Sequence, residues 1–335
     1  VLEGSALAAA LVEQLGQARR TVRICSFLCT LDVRVPDNSP ARQVIRAIAD
    51  AAQRGVDVRV LIGSPGDPRL NLLNSVAARY LNERGAATRR VPEIDLHAKF
   101  AVIDDGCCTI GSHNLTHKAL SQNAELSAMV WDAATTALLT KNFAAMWEKA
   151  KTSANVPQVG MRQTSIQSSR SKSRKNFAAA MASRVAFDTI EVLEDREYLG
   201  FCETALAKAQ HRIFVAMGLM TFSGLRTHPA RQLIERLIAA HDRGVDVNVF
   251  TDGSRTGRRS AARKLQASDI PVHFISNGRS FHHKALVIDD QLTIIGSHNW
   301  TLPALSKSRE ISLAIRSTPL AFQMTQAIVS PFAAL

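Results

Sequence analysis

Aromatic side chains are scarce in this chain: 2 Tyr, 3 Trp and 13 Phe among 335 residues. Little is therefore available to stack on successive bases or to anchor a membrane interface. No stretch approaches the roughly 18 uninterrupted apolar residues that a membrane-spanning helix requires. Five cysteines, Cys25, Cys29, Cys107, Cys108 and Cys202, form an odd set without framework spacing. They read as small apolar residues in a reducing compartment rather than as disulfides. The His and Cys spacings match no common zinc pattern, so neither a metal nor a cofactor is expected. The chain begins at Val1 rather than Met, which leaves room upstream for a removed signal or an anchor. A cytoplasmic setting is the expectation.

What is present is an ordinary globular composition, 46% hydrophobic and 21% charged, with a formal net charge of +12. The length suits two domains. The charge is unevenly placed. Residues 1–150 hold 17 basic against 15 acidic residues, and residues 186–335 hold 17 against 14. The intervening 151–185 hold 7 basic residues and no acidic one. This segment includes QSSRSKSRK (167–175), polar and aperiodic, and reads as a basic flexible linker or exposed loop. Its Arg170, Lys172, Arg174 and Lys175 would attract a polyanion, either nucleic-acid phosphates or acidic lipid head groups.

The two flanking halves repeat each other. ARQVIRAIADAAQRGVDVRV (41–60) aligns without gaps to ARQLIERLIAAHDRGVDVNV (230–249). In the first half, the pattern predicts helices over 5–19, 41–54, about 71–84 and 133–149, with strands over 21–28, 56–63, 99–103, 107–110 and 124–131. Val44, Ile45, Ile48 and Ala51 share a face of the second helix, and Gly55 caps it. Asp105-Gly106 reads as a hairpin turn. Ile213–Met217 and Thr318–Val329 continue the correspondence in the second half. The expected architecture is α/β: two duplicated domains, 1–150 and 186–335, each a mixed or largely parallel sheet flanked by helices. A monomer with an internal pseudo-twofold is expected.

The most informative repeat is polar. HAKFAVIDDGCCTIGSHNLT (97–116) is matched by HHKALVIDDQLTIIGSHNWT (282–301). Each copy places His, Lys, Asp and Gly-Ser-His-Asn at one spacing: His97, Lys99, Asp104, Ser112 and Asn114, then His282, Lys284, Asp289, Ser297 and Asn299. Glu125 and Glu310 follow each Asn by the same interval. Side chains at i and i+2 of a strand share a face, so each His would lie beside its Lys. Lysine and asparagine can hold the oxygens of a phosphate, while an imidazole can attack phosphorus or move a proton. In-line displacement needs a nucleophile on one side and an acid on the other, and two frames supply both. Ser112 and Ser297 could add hydroxyl donors. Asp104 and Asp289 serve either the chemistry or the turn that follows them. Glu125 and Glu310 read as acceptors that orient a His. His113 and His298 either touch substrate or fill the turn. His117 and His283 lack counterparts and read as surface residues.

HxK(x)4D(x)6GSxN, present twice, resembles the signature of the phospholipase D superfamily. The resemblance implies a pseudo-dimer with one shared active site that works through phosphohistidine without a metal. It also implies catalytic roles for His97, Lys99, Asn114, His282, Lys284 and Asn299, with the aspartates and glutamates in support and His97 as the nucleophile. The residues after each Asn, Leu-Thr or Trp-Thr, are similar to the endonuclease-like branch. The Arg-Ser pair typical of cardiolipin synthases is absent. A nuclease acting on DNA or RNA is the expectation. A phospholipase D or phosphatidyltransferase is the alternative, and a non-catalytic nucleic-acid-binding module a weaker third.

Overall fold

A computed structural model describes residues 1–91, 96–152, 184–253, 260–275, 279–330 and 332. In the first half, β1 (Leu2–Glu3), α1 (Gly4–Gln17), β2 (Thr21–Ser26), α2 (Pro40–Gln53), β3 (Asp57–Ile62) and α3 (Pro68–Asn82) come in turn. They are followed by β4 (Ala87–Arg90), β5 (Phe100–Ile103), β6 (Cys107–Gly111), α4 (His117–Ser121), β7 (Leu126–Val130), α5 (Ala133–Lys149) and β8 (Lys151–Thr152). The second half runs β9 (Thr189–Glu194), α6 (Glu197–Lys208), β10 (Arg212–Met217), α7 (Pro229–Asp242), β11 (Asp246–Asp252) and α8 (Ser260–Gln266). It ends with β12 (Val272–Ile275), β13 (Lys284–Ile288), β14 (Leu292–Gly296), α9 (Leu302–Ser306), β15 (Ile311–Arg316) and α10 (Thr318–Val329).

Local chemistry explains the best-patterned elements. Ser39 caps α2 by accepting from the Arg42 amide, Pro40 opens it, and Val44, Ile45 and Ile48 are fully buried along its inner face. Gly55 follows at φ +89°, a left-handed conformation that costs glycine little. Gly244 repeats this after α7.

The strands form an eight-stranded sheet, β1-β7-β6-β5-β2-β3-β4-β8, and a seven-stranded sheet, β12-β11-β10-β13-β14-β15-β9. Each is mixed. β2, β3 and β4 are parallel, whereas β5, β6 and β7 are joined antiparallel, and β10 to β15 repeat that scheme. The α/β duplication expected from the sequence is present in both sheets. The edge strands β1, β8 and β9, the short α4 and α9, and the parallel strands β4 and β12 carry too little periodicity to be read beforehand. Residues 153–183, with Arg170, Lys172, Arg174 and Lys175, lie outside the described residues.

Alternation along each strand divides the core in three. Ala101 and Ile103 of β5 face α1 and α2, while Phe100 and Val102 face the opposite way. Leu286 and Ile288 of β13 face α6 and α7, while Ala285 and Val287 point away. The two inward faces meet, with Phe143 and Trp147 of α5 and Met324 of α10, in one shared hydrophobic cluster. Both halves therefore bury apolar surface against each other, and the entrances to β5 and β13 end up at the same interface.

The glycine of each Gly-Ser-His-Asn run has a steric reason. A Cβ on Gly111 would press into Leu126 O and Ser127 of β7, and one on Gly296 would press into Ile311 O and Ser312 of β15. Overpacking against backbone is costly. Gly111→Ala is expected to lower stability by about 1–3 kcal/mol in urea unfolding; an unchanged midpoint would show that β6 and β7 are not in the close register described.

Candidate active site

Each strand entrance is stitched to the other half of the chain. His97 N–H and Ala98 N–H donate to Arg309 O at 3.0 and 2.8 Å, and His282 N–H donates to Ala124 O at 2.8 Å. The residues after these acceptors are Glu310 and Glu125. As a result, His97 Nδ1 lies 2.7 Å from Glu310 Oε1, and His282 Nδ1 lies 2.8 Å from Glu125 Oε2. The pairs are crossed: each histidine is held by the carboxylate of the opposite half. The sequence predicts glutamates that orient histidines, but not which partner each takes. Both carboxylates are buried at 1% exposure, while each His keeps a partly open ring.

The lysines sit at the mouths of β5 and β13, both buried at 3% exposure. Lys99 Nζ donates to His97 O, and Lys284 Nζ donates to His282 O at 2.9 Å. Each ammonium thus braces the backbone of its own His. Asn114 Oδ1 accepts from the Leu28 amide at 3.0 Å, which leaves its NH2 as the donor to any ligand. Asn299 is equally buried, and its Oδ1 is an unpartnered buried atom.

The electrostatics show that the two frames share one space. Lys284 is pushed down to about 7, first by burial and then by the charge of Lys99, against the pull of Glu125 and Glu310. Burial likewise lowers His282, with Lys284 and Lys99 adding to it and Glu125 opposing. At Glu125, burial would raise the pKa, but His282, His113 and Lys284 together hold it down at about 2. At Glu310 burial prevails and raises it, although His298, Lys99, the Ser297 hydroxyl and Lys284 all oppose. Two lysines and two histidines converging on two buried carboxylates suit an anionic ligand, whose charge would relieve the repulsion between the ammonium groups.

Not every residue singled out by the motif comes to this place. Of the two roles open to Asp104 and Asp289, the chemistry or the turn, the geometry gives them the turn. The Asp104 carboxylate accepts from the amides of Arg19, Arg20 and Thr21 at 2.7, 2.7 and 2.8 Å. Asp289 does the same for Gln210, His211 and Arg212. Both lie at the far ends of β5 and β13, one strand away from the histidines, where they tie the turn to the start of β2 or β10. The turn itself is centred one residue earlier than expected. Asp104 and Asp105 are the left-handed residues, at φ 51° and 56°, which Asp tolerates better than most side chains.

The serines are not spare donors either. Ser112 Oγ exchanges hydrogen bonds with the Leu126 backbone, while Ser297 Oγ donates to Glu310 Oε2 and accepts from the Ile311 amide. Ser297 therefore helps to hold the carboxylate that holds His97. His113 and His298 take the turn-filling alternative: their Nδ1 atoms lie 2.8 Å from Ser127 and Ser312 Oγ, and both rings are buried. His117 opens the surface helix α4, but His283 is not a surface residue. It is 1% exposed and packs on Phe281 at 4.3 Å, because the residue after His282 turns into the shared core. All five cysteines are buried free thiols, and burial pushes Cys25 up to about 12.

Several supports escaped the sequence reading. Tyr198 stacks on His298 at 4.1 Å and accepts from Trp300 Nε1 at 3.1 Å. Asp195 pairs with Arg309 and accepts from the Glu310 amide at 2.9 Å. Phe27 lies 5.2 Å from the His97 ring. Only Ser127 and Ser312 left a trace in the sequence, since they recur at equal distance after the two GSHN runs.

The crossing makes a directional prediction. Glu125 raises the pKa of His282, so Glu125→Gln should lower it when the imidazole resonances are titrated by NMR. A shift at His97 instead would contradict the pairing. Asp104→Ala should cost about 1–3 kcal/mol of stability while leaving both imidazole titrations in place.

A family described as "Cardiolipin synthase, PLD-like domain" matches residues 11–147 and 203–330. The chain is 30% identical over 151 residues to a 5'-3' exonuclease PLD3 of Xenopus laevis, covering 42% of this chain and 30% of that protein. It is 32% identical over 94 residues to a cardiolipin synthase B of Salmonella typhi, covering 28% and 23%. The matches span less than a third of the length of these curated relatives. Among solved structures, the phosphatidylserine synthase of Haemophilus influenzae Rd KW20 superposes with a TM-score of 0.72 at 12% identity, covering 99% of this chain and 85% of that one. Among the described residues no helix is long and apolar enough to cross a membrane. With both halves matched and both His-Lys-Asn frames meeting at one interface, the chain belongs to the phospholipase D superfamily.

Proposed function

We propose that this protein is a metal-independent phosphodiesterase that works through a phosphohistidine and cleaves nucleic-acid backbones. The observation that carries the reaction is the crossed pairing of His97 with Glu310 and of His282 with Glu125. A carboxylate at Nδ1 fixes the tautomer, placing the proton there and the lone pair on Nε2. His97 Nε2 then attacks phosphorus, and the bond to the leaving oxygen breaks as His282, which enters the step as the imidazolium that Glu125 favours, gives that oxygen its Nε2 proton and becomes neutral. In the second step His282 takes a proton from water, whose oxygen attacks phosphorus and expels His97. Lys99, Lys284, Asn114 and Asn299 would meet the charge that grows on the equatorial oxygens.

Support for nucleic acid as substrate is of three kinds. A relative matched over 151 residues is named as an exonuclease. The residues after each Asn are of the endonuclease-like style, and the basic segment 167–175 suits a polyanion. With few aromatics, recognition would rest on the backbone rather than on base identity. A lipid-directed phosphatidyl transfer is the second reading, favoured by the description of the matching family and by the cardiolipin synthase relative.

Incubating the whole chain with DNA, RNA and phosphatidylglycerol or phosphatidylcholine vesicles in EDTA separates these readings. Nucleic-acid cleavage that persists in EDTA is expected. Turnover of lipid alone would replace the substrate, and loss of all turnover in EDTA would refute the metal-free route. His97→Ala and His282→Ala should each reduce turnover by about 10³-fold or more without changing the fold. Substantial residual activity in either would contradict a single shared site.

A further inference from the structure

The approximate twofold is broken beside the histidines. The bridges Cys29 to Leu115 and Met220 to Trp300 are equivalent, as are the bonds from Thr30 N–H to Leu115 O and from Thr221 N–H to Trp300 O. This register makes Phe27 and Gly218 counterparts. Phe27, partly exposed at the end of β2, sets its ring 5.2 Å from His97 and 5.7 Å from Lys99 Nζ. At Gly218 no side chain fits, because a Cβ would run into Phe281 O and come within 2.9 Å of His282 Cα.

The next strand repeats the inequality. Gly63 follows β3 against Phe27, where a Cβ would approach both Phe27 Cδ2 and the Phe27 carbonyl oxygen to 2.7 Å. Its counterpart at the end of β11 is Asp252, whose carboxylate accepts from Ser280 Oγ at 3.4 Å. One flank of the site is thus an aromatic face with space cleared for it. The other is backbone and a carboxylate.

A phosphodiester has two unlike arms, and a site with perfect twofold symmetry could not tell them apart. Resting on the phosphodiesterase reading above, we infer that Phe27 is a specificity-determining residue. Its face seats the arm that stays on phosphorus when His97 attacks, and favours an arm bearing a flat ring such as a nucleobase. The retained arm occupies an equatorial position beside the nucleophile, next to this ring, whereas the leaving oxygen points to His282. Stacking on an aromatic face suits any base, because every base presents a π-surface.

Two p-nitrophenyl esters with the same leaving group test this: the p-nitrophenyl ester of thymidine 5'-phosphate and methyl p-nitrophenyl phosphate. Phe27→Leu is expected to lower kcat/KM about tenfold for the nucleoside ester and to leave the methyl ester within about twofold, and Phe27→Tyr is expected to restore the nucleoside preference. Equal losses on both esters would mean that the ring only orients His97, and no loss on either would mean that it touches no substrate; both results overturn the inference. If the unaltered chain cleaves neither ester and His97→Ala makes no difference, the phosphodiesterase reading itself fails, and this one with it. Unfolding midpoints of the variants confirm that the comparison is made between folded proteins.

Discussion

Two hydrogen bonds that cross from one half of the chain to the other organise this molecule. His97 is held by Glu310, and His282 by Glu125. Each pair exists because the backbone beside the glutamate also pairs with the backbone beside the opposite histidine. Neither half can present an oriented imidazole alone. The shared hydrophobic cluster between the sheets is what keeps the two halves in this register, so the packing of residues such as Phe100, Phe143, Phe281 and Met324 bears directly on the chemistry.

The interface is an expensive place for charge. Lys99, Lys284, Glu125 and Glu310 are all nearly sealed from solvent, and a buried charge is tolerated only when others answer it. Here the answers are arranged in layers. Carboxylates accept from imidazoles, ammonium groups donate to the carbonyls of those same histidines, and Ser297 donates to Glu310. Burial, with the charge of Lys99 after it, depresses Lys284 in spite of the pull of Glu125 and Glu310. Preorganised donors aimed at developing charge are the main resource of such a site.

Much of this was legible because the chain is duplicated. The repeat of His-Lys and Gly-Ser-His-Asn at one spacing marked His97, Lys99, Asn114 and their partners, and Glu125 and Glu310 kept step with them. The amphipathic α2 and its glycine stop were equally plain. The repeat was less informative about roles. Asp104 recurs as Asp289 because both halves need the same turn tied to the same strand start, not because both need a second acid. His283 looked idle because Ala98 occupies its place in the other copy, yet it is core. Recurrence marks what a fold cannot change; it does not separate support from catalysis.

The order of residues along the chain, by itself, determined the α/β duplication and the composition of each polar frame. These follow from local periodicity and from spacing within a strand pair, which short stretches encode. Only the tertiary structure decided that the carboxylates cross over, that the aspartates face away from the histidines, and that Phe27 faces His97 where Gly218 leaves His282 bare. Those relations join residues up to 213 positions apart. They depend on how two sheets pack face to face, a contact that no periodicity within either half can report.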